Sequence, residues 1–411
     1  MKGLSSLAVS AAALALLLPS TVFAQHYTQV NLVSNVSGVA PVTDPQLVNP
    51  WGLSRSSSSP WWISDSGTGF STLYNGAGAK QSLIVTIPKS DPSSPTFPTG
   101  TPTGTIFNGS PTDFLLAPGK PSTFLFSTID GTIAGWNSTV AATPGSTGPS
   151  TNAVTKFRTK DGSSYTGLTA AFVDGKRYLY AANFGKGRVD VFDNAFNPVN
   201  LKDDDDHRGP FDRDFGGDDH FFGGDNDKPF TDNRLPRFYV PFNVQAIGND
   251  IAVTYALHLP GQQFETDGPG LGYVDIFSSR GKLLSRLEHG DWLNAPWGVA
   301  LAPLDFGRFS HDLLVAQFAG GGTSESSGYI AAYDLATGKF DGLLQDATGK
   351  PLSINGIWAI SPANSAVANS YDTTGAPASQ LYFTAGPNQG TGGLFGYLKP
   401  VSTELVQGNA Q

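Results

Sequence analysis

There is no cysteine among the 411 residues. That excludes disulfides, thiolate nucleophiles and cysteine-held metals. Histidine is scarce as well. His26, His207, His220, His258, His289 and His311 are the six, and no two are spaced as a close metal pair. The sequence has no Gly-x-Ser-x-Gly elbow, no His-Glu-x-x-His and no phosphate-binding glycine loop. Charged residues make up 14% of the chain, and beyond residue 24 no apolar stripe at helical spacing and no run of membrane-spanning length occurs.

Glycine, proline, aromatic and β-branched residues are abundant instead, and they recur in a phrase. Asn49-Pro50-Trp51-Gly52-Leu53 returns as Ala295-Pro296-Trp297-Gly298-Val299 and, more loosely, as Asn355-Gly356-Ile357-Trp358-Ala359. Worn copies stand at Tyr165-Thr166-Gly167-Leu168 and Pro241-Phe242-Asn243-Val244. Short β-branched and aromatic runs follow each copy, separated by Gly, Asn, Asp and Pro turns, which are strand and hairpin signals. A sixth copy lacks the tryptophan and is placed at Thr112-Asp113-Phe114-Leu115, followed by runs at Thr123–Ser127, Gly131–Trp136 and Val154–Phe157. Six units of three or four strands at roughly 55–75-residue spacing predict an all-β, six-bladed β-propeller of four-stranded blades. The strand Tyr27–Val33 stands before the first copy, and the last copy lacks a clear fourth strand after Tyr397. The N-terminal strand is therefore expected to complete the last blade and close the ring, which removes two sheet edges.

Residues 1–24 read as a signal peptide: Lys2, an apolar stretch from Leu7 to Leu18, then Val22-Phe23-Ala24 before Gln25. The domain is expected over 25–400, with a tail at 401–411, and the chain is expected to be exported to a periplasm or cell exterior. One segment escapes the repeat. Residues 203–232 hold eleven aspartates against Arg208, Arg213 and Lys228, a net −8 of the chain's −9. Nucleic acid is excluded as a partner by this balance. Asp212, Asp214, Asp218, Asp219, Asp225 and Asp227 offer oxygens of the kind calcium prefers. Against this stands a self-repelling, solvated insert, and no stretch completes an EF-hand loop.

Phrases such as Asn49-Pro50-Trp51-Gly52-Leu53, Gly272-Tyr273-Val274-Asp275-Ile276-Phe277, Asn294-Ala295-Pro296-Trp297-Gly298 and Leu381-Tyr382-Phe383-Thr384-Ala385-Gly386-Pro387-Asn388 resemble an uncharacterised family of exported bacterial proteins. Its blades are similar to NHL-type six-bladed propellers. The resemblance covers nearly all of residues 27–399 and implies the propeller fold but no reaction. It also implies a shared channel mouth where inner strands begin and second strands end.

That mouth supplies the candidate ligand-binding residues: Trp51, Asp65, Asn183, Asn243, His258, Trp297 and Trp358. Each has a structural alternative. The tryptophans can wedge between blades as repeated core, and Asp65 and Asn183 can cap glycine-rich turns. Asp113 is a weaker channel candidate. Two function classes follow. One is a monomeric binding module for a protein, peptide or glycan; the other is a calcium-dependent hydrolase of the lactonase type, using Asp65, Asn183 and Asn243. The hydrolase requires these oxygens to converge on one channel point, and a mouth walled by tryptophan and apolar residues argues against it.

Overall fold

A computed structural model describes residues 25–93, 98–142, 144–201, 228–318, 328–363 and 379–405. Six sheets of antiparallel meanders form a ring, each built from four strands in chain order except the last, with a small separate hairpin interrupting the second. The inner strands are Pro50–Ser54, Pro102–Phe107, Tyr165–Val173, Tyr239–Ile247, Pro296–Leu301 and Ile357–Pro362, and successive ones lie side by side around the axis. The sixth sheet runs outward through Leu381–Ala385 and Leu394–Pro400 to the N-terminal strand Tyr27–Ser34. That strand pairs with the last strand from Tyr27↔Pro400 to Ser34↔Leu394, as the unpaired ends of the sequence required.

The second blade departs from expectation. Its inner strand is Pro102–Phe107, not Thr112–Leu115. The stretch around Phe114 instead enters a small hairpin, Leu115–Ala117 with Lys120–Pro121, outside the ring. Asp113 sits on this rim, where its carboxylate accepts from Ser110 Oγ and Asn194 Nδ2, so it is not a channel residue. The inner position goes to Pro102-Thr103-Gly104 because Gly104 lets the backbone approach the third blade. A Cβ there would lie 2.5 Å from Leu168 N.

The recurring phrase now has a physical account. Asn49 and Ala295 take φ of 45°, and Gly356 takes +67°, so each entering chain turns through the left-handed region. A β-bulge follows in every inner strand. Pro296 pairs with Gln317 and Gly298 with Ala316, leaving Trp297 as the extra residue. The same shift falls at Trp51-Gly52, Thr103-Gly104, Thr166, Phe242 and Trp358-Ala359. Bulges re-aim side chains. In three blades a hydroxyl on the second strand takes up the displaced amide: Gly104 N–H donates to Ser127 Oγ, Asn243 N–H to Thr254 Oγ1 and Ala359 N–H to Thr384 Oγ1, at 3.0–3.1 Å. The glycine after the bulge is a contact residue. A Cβ on Gly298 would stand 2.3 Å from Trp358 O of the next blade, and one on Gly52 2.4 Å from Thr103 O.

The core is divided among the seams between blades. Trp62, Phe124, Phe126 and Trp136 fill the seam of the first and second blades, and Tyr180, Val191, Val253 and Phe277 that of the third and fourth. Each blade thus buries both faces against neighbours, which a lone meander could not do.

Candidate functional site

The channel mouth is closed by its own rings. Trp51 stacks on Trp358 at 3.6 Å between centroids, and Phe318 covers the other side of Trp358 at 3.9 Å. Trp297 meets both tryptophans edge-on at 5.8 Å, and Phe242 completes the cluster. Trp51, Trp297 and Trp358 are only 6%, 3% and 2% exposed. The bulges aim them at one another across the axis. They belong to the core, as one reading had it, but they plug the channel instead of wedging between blades. Trp297 Nε1 donates to Thr166 O and Trp358 Nε1 to Asn49 Oδ1, both at 3.0 Å, so the plug is also bonded to the surrounding strands. His258 does lie near the mouth: its ring stacks on Phe184 at 4.3 Å, and Phe184 packs on Phe242. Its Nε2 is within hydrogen-bond distance, 2.9 Å, of Gln262 O.

The three oxygen-bearing candidates have separate local tasks. Asn243 Nδ2 donates to Trp297 O at 2.6 Å, tying the fourth blade to the fifth. Asn183 accepts from Lys186 N and Ser164 N and donates to Asp190 Oδ2 and Ser163 Oγ. It caps the short 3-10 turn Phe184–Lys186, the structural role weighed for it. Asp65 is fully buried in the first blade, and its Oδ2 accepts from Thr72 N at 3.0 Å. Among the described residues no group of three or more His, Asp or Glu side chains could hold a metal ion. Asp212, Asp214, Asp218, Asp219, Asp225 and Asp227 lie outside the described residues.

Asp65 carries a stability prediction. Burial raises its pKa well above the carboxylate range, and the charge of Asp44 adds to the rise. Such a group stabilises the fold in acid, fully so below its unfolded value near 3.9. The contribution is lost as pH rises through the raised folded value. Asp275, pushed up to about 7 chiefly by burial, acts in the same direction. Asp65→Asn is expected to melt like the parent at pH 4 and to be more stable at pH 8, by about 1–3 kcal/mol. Equal melting of the two proteins at pH 8 would show that Asp65 imposes no such penalty. The third blade already places an asparagine, Asn183, at this position.

Behind the plug the channel narrows to a polar space of about 30 Å³ beside Gly52, Gly104 and Asn243. It then opens on the opposite face into a hollow of about 310 Å³ lined by Arg55, Gln245 and Ser361 among others.

A different cavity, of about 430 Å³, lies on the outer edge of the third blade. It exists because that blade's fourth strand is only Pro198–Val199, which pairs with Phe192 and Val191 and stops. The fourth strands of the other blades, counting Tyr27–Ser34 in the sixth, run four to eight residues. Among the described residues no strand pairs with Arg188, Val189 and Asp190 on the outer side, and the cavity lies there. One wall is apolar, with Val199, Leu201 and Phe230. The other is polar. Asp190 accepts from Arg188 Nε at 2.6 Å, Tyr165 Oη at 3.1 Å and Asn183 Nδ2 at 2.7 Å. Asp161 is exposed, and the hydroxyls of Thr159 and Ser163 hold its carboxyl below the usual range, so it stays ionised. Sequence reasoning missed Asp161, Tyr165, Arg188 and Asp190. The available signal was the want of an alternating run between Phe192 and the acidic segment.

The comparisons agree on architecture. The fold is a six-bladed propeller. A PQQ-bound aldose sugar dehydrogenase from Streptomyces coelicolor superimposes with a TM-score of 0.50 and 11% identity, over 92% of this chain and 99% of that one. That likeness carries the fold alone. By sequence, the chain is 27% identical to one uncharacterised protein of Acanthamoeba polyphaga mimivirus over 89% of its length and 78% of the relative's. It is 28% identical to a second, over 89% and 84%. No family model matches the chain. The propeller part of the resemblance therefore stands, while the relatives found are viral and do not bear on a bacterial or exported origin. No helix among the described residues is long and apolar enough to cross a membrane.

Proposed function

We propose that this chain is an exported, monomeric binding module whose ligand site is the cavity on the outer edge of the third blade. The observation that carries this is the pairing of a filled mouth with a blade edge that the described residues leave unpaired. Trp51, Trp297, Trp358, Phe242 and Phe318 occupy the mouth, while the cavity has the size of ligand sites in general and combines apolar walls with a few convergent polar groups. The ligand classes in view are peptide, protein surface and glycan. The hydrolase alternative loses its support, because Asp65, Asn183 and Asn243 are engaged separately and the mouth is walled by aromatic rings.

The test is an array of peptides and oligosaccharides probed with residues 25–411 and with Asp161→Lys. A ligand held by the parent and weakened about tenfold by the reversed charge is expected, with only a small fall in melting temperature, since Asp161 is exposed but accepts from Thr159 and Ser163. Ligands indifferent to this substitution would remove the cavity from consideration. Calcium binding through Asp212–Asp227 is a separate proposal. Millimolar Ca²⁺ is expected to raise the melting temperature and a chelator to reverse it; unchanged melting refutes it.

A further inference from the structure

We propose that Asn355 is a site of spontaneous deamidation, and that its rearranged product loosens the tryptophan plug. This goes beyond the cavity reading and does not depend on it. The chemistry needs an asparagine followed by a residue whose nitrogen can reach the side chain, and glycine, with no Cβ, hinders that approach least. The Gly356 nitrogen gives up its proton and attacks Asn355 Cγ. A C–N bond forms, and Nδ2 leaves as ammonia with that proton. Water then opens the cyclic imide at either carbonyl. One opening leaves aspartate. The other leaves isoaspartate, whose main chain runs through the side-chain carbons and is one atom longer.

Asn-Gly occurs three times, at Asn75-Gly76, Asn108-Gly109 and Asn355-Gly356, and the fold treats the three differently. Asn108 is only 4% exposed. Its Nδ2 donates to Asp113 O and Ser122 O, and its Oδ1 accepts from Arg177 Nη1 at 2.7 Å. Asn75 closes a tight turn: its Oδ1 accepts from Ala77 N and Ala79 N, and its own N–H donates to Ala79 O. Both carboxamides are held in place. Asn355 is exposed, and among the described residues neither its side chain nor the Gly356 N–H makes a hydrogen bond. The recurring phrase sharpens the contrast. Asn294 holds the same place before Ala295 and Trp297, but it is buried and its Oδ1 accepts from Gly268 N at 2.8 Å. A bonded carboxamide must break away locally before it can react, and that opening costs free energy which Asn355 is spared.

Position makes the product matter. Gly356 is buried and turns through a φ of +67°. Its carbonyl accepts from Gly386 N at 2.8 Å, and a Cβ on it would lie 2.4 Å from Gly386 O. On one side Ile354 N is tied to Gly328 O, and on the other Ile357 pairs with Ala385. An extra main-chain atom between these anchors must displace one of them, because the packing leaves no slack. Trp358 follows directly, and it is the ring stacked between Trp51 and Phe318. A shift of Ile357 therefore reaches the plug.

The experiment ages residues 25–411 in warm, mildly alkaline buffer and maps the peptides by mass, scoring isoaspartate by enzymatic methylation of its free carboxylate. Asn355 should convert at least about tenfold faster than Asn75 or Asn108. In urea the local protection is gone and the three rates should converge. Earlier or equal conversion of Asn75 or Asn108 in the folded protein would overturn the site, and so would a ranking that survives in urea. Aged protein should also show red-shifted tryptophan emission and a lower urea midpoint, and Asn355→Gln, aged alongside, should show neither. Fresh Asn355→Asp should behave as the parent does, because it has the charge without the added atom. Isoaspartate at position 355 with emission and midpoint unchanged would overturn the link to the plug. The same losses in fresh Asn355→Asp would assign them to charge and overturn the lengthened chain as their cause.

Discussion

Trp358→Ala is expected to cost about 3–5 kcal/mol of stability, the range for removing a large aromatic side chain from a packed core. Trp358 is the centre of the plug. It is stacked between Trp51 and Phe318, met edge-on by Trp297 and Phe242, and bonded to Asn49. Those rings come from the first, fourth, fifth and sixth blades, so the void would open where four blades meet. The surrounding strands are fixed by their own ladders and can close only part of it. Urea melts should show a lower midpoint with little change in slope. Trp358→Phe should recover part of the loss by keeping the stack on Trp51. A Trp358→Ala protein as stable as the parent would mean that the rings are held by the strands and contribute little of their own.

The second large effect is expected from a single methyl group. Gly298→Ala places a Cβ 2.3 Å from Trp358 O and 3.1 Å from Ile360 N. Both are backbone atoms of an inner strand and cannot rotate away, so the fifth and sixth blades must separate. Overpacking of this kind costs about 1–3 kcal/mol and more where the obstacle is rigid. Gly148→Ala is the control. It lies in an exposed turn, its nearest neighbour would be Ser146 Oγ at 3.8 Å, and its effect should stay within about 0.5 kcal/mol. Comparable melting of the two variants would show that the inner strands have slack.

Much of the architecture was legible because the Pro-Trp-Gly phrase encodes it at two levels. The left-handed residue, the bulge and the close-approach glycine all fall within five positions, so the phrase counts blades well. It miscounted position once. In the second blade a threonine, Thr103, stands where four of the others have an aromatic ring, and the apolar pair Phe114-Leu115 drew the assignment away from Gly104. The plug was only half legible. Tryptophans at strand starts were visible, but a bulge is a pairing irregularity, and its effect on aim depends on the partner strand. A recurrent hydroxyl in the second strands (Ser127, Thr254, Thr384) was the sequence trace of it. The third-blade cavity is marked by a fourth strand of only two residues among those described, and so short a run leaves no motif to find. Asp190 is also ambiguous by sequence, since Asp275 occupies the same place in the fourth blade and is bonded to Arg286 Nε at 3.1 Å, beneath a complete outer strand.

Ring closure by Tyr27–Ser34 on Leu394–Pro400 pairs residues at least 360 positions apart. On a ribosome, the first strand made is among the last to find its partner. Every earlier blade can form its own hairpins as it emerges, but the seam between the sixth and first blades must wait for nearly the whole chain. Contacts of such long range slow folding because the loop has to be closed before the pairing rewards it. Until then Tyr27, Leu32 and Val33, all buried in the finished ring, stay uncovered, so the window in which this protein is exposed to aggregation or to a chaperone is set by the time its last strand takes to arrive.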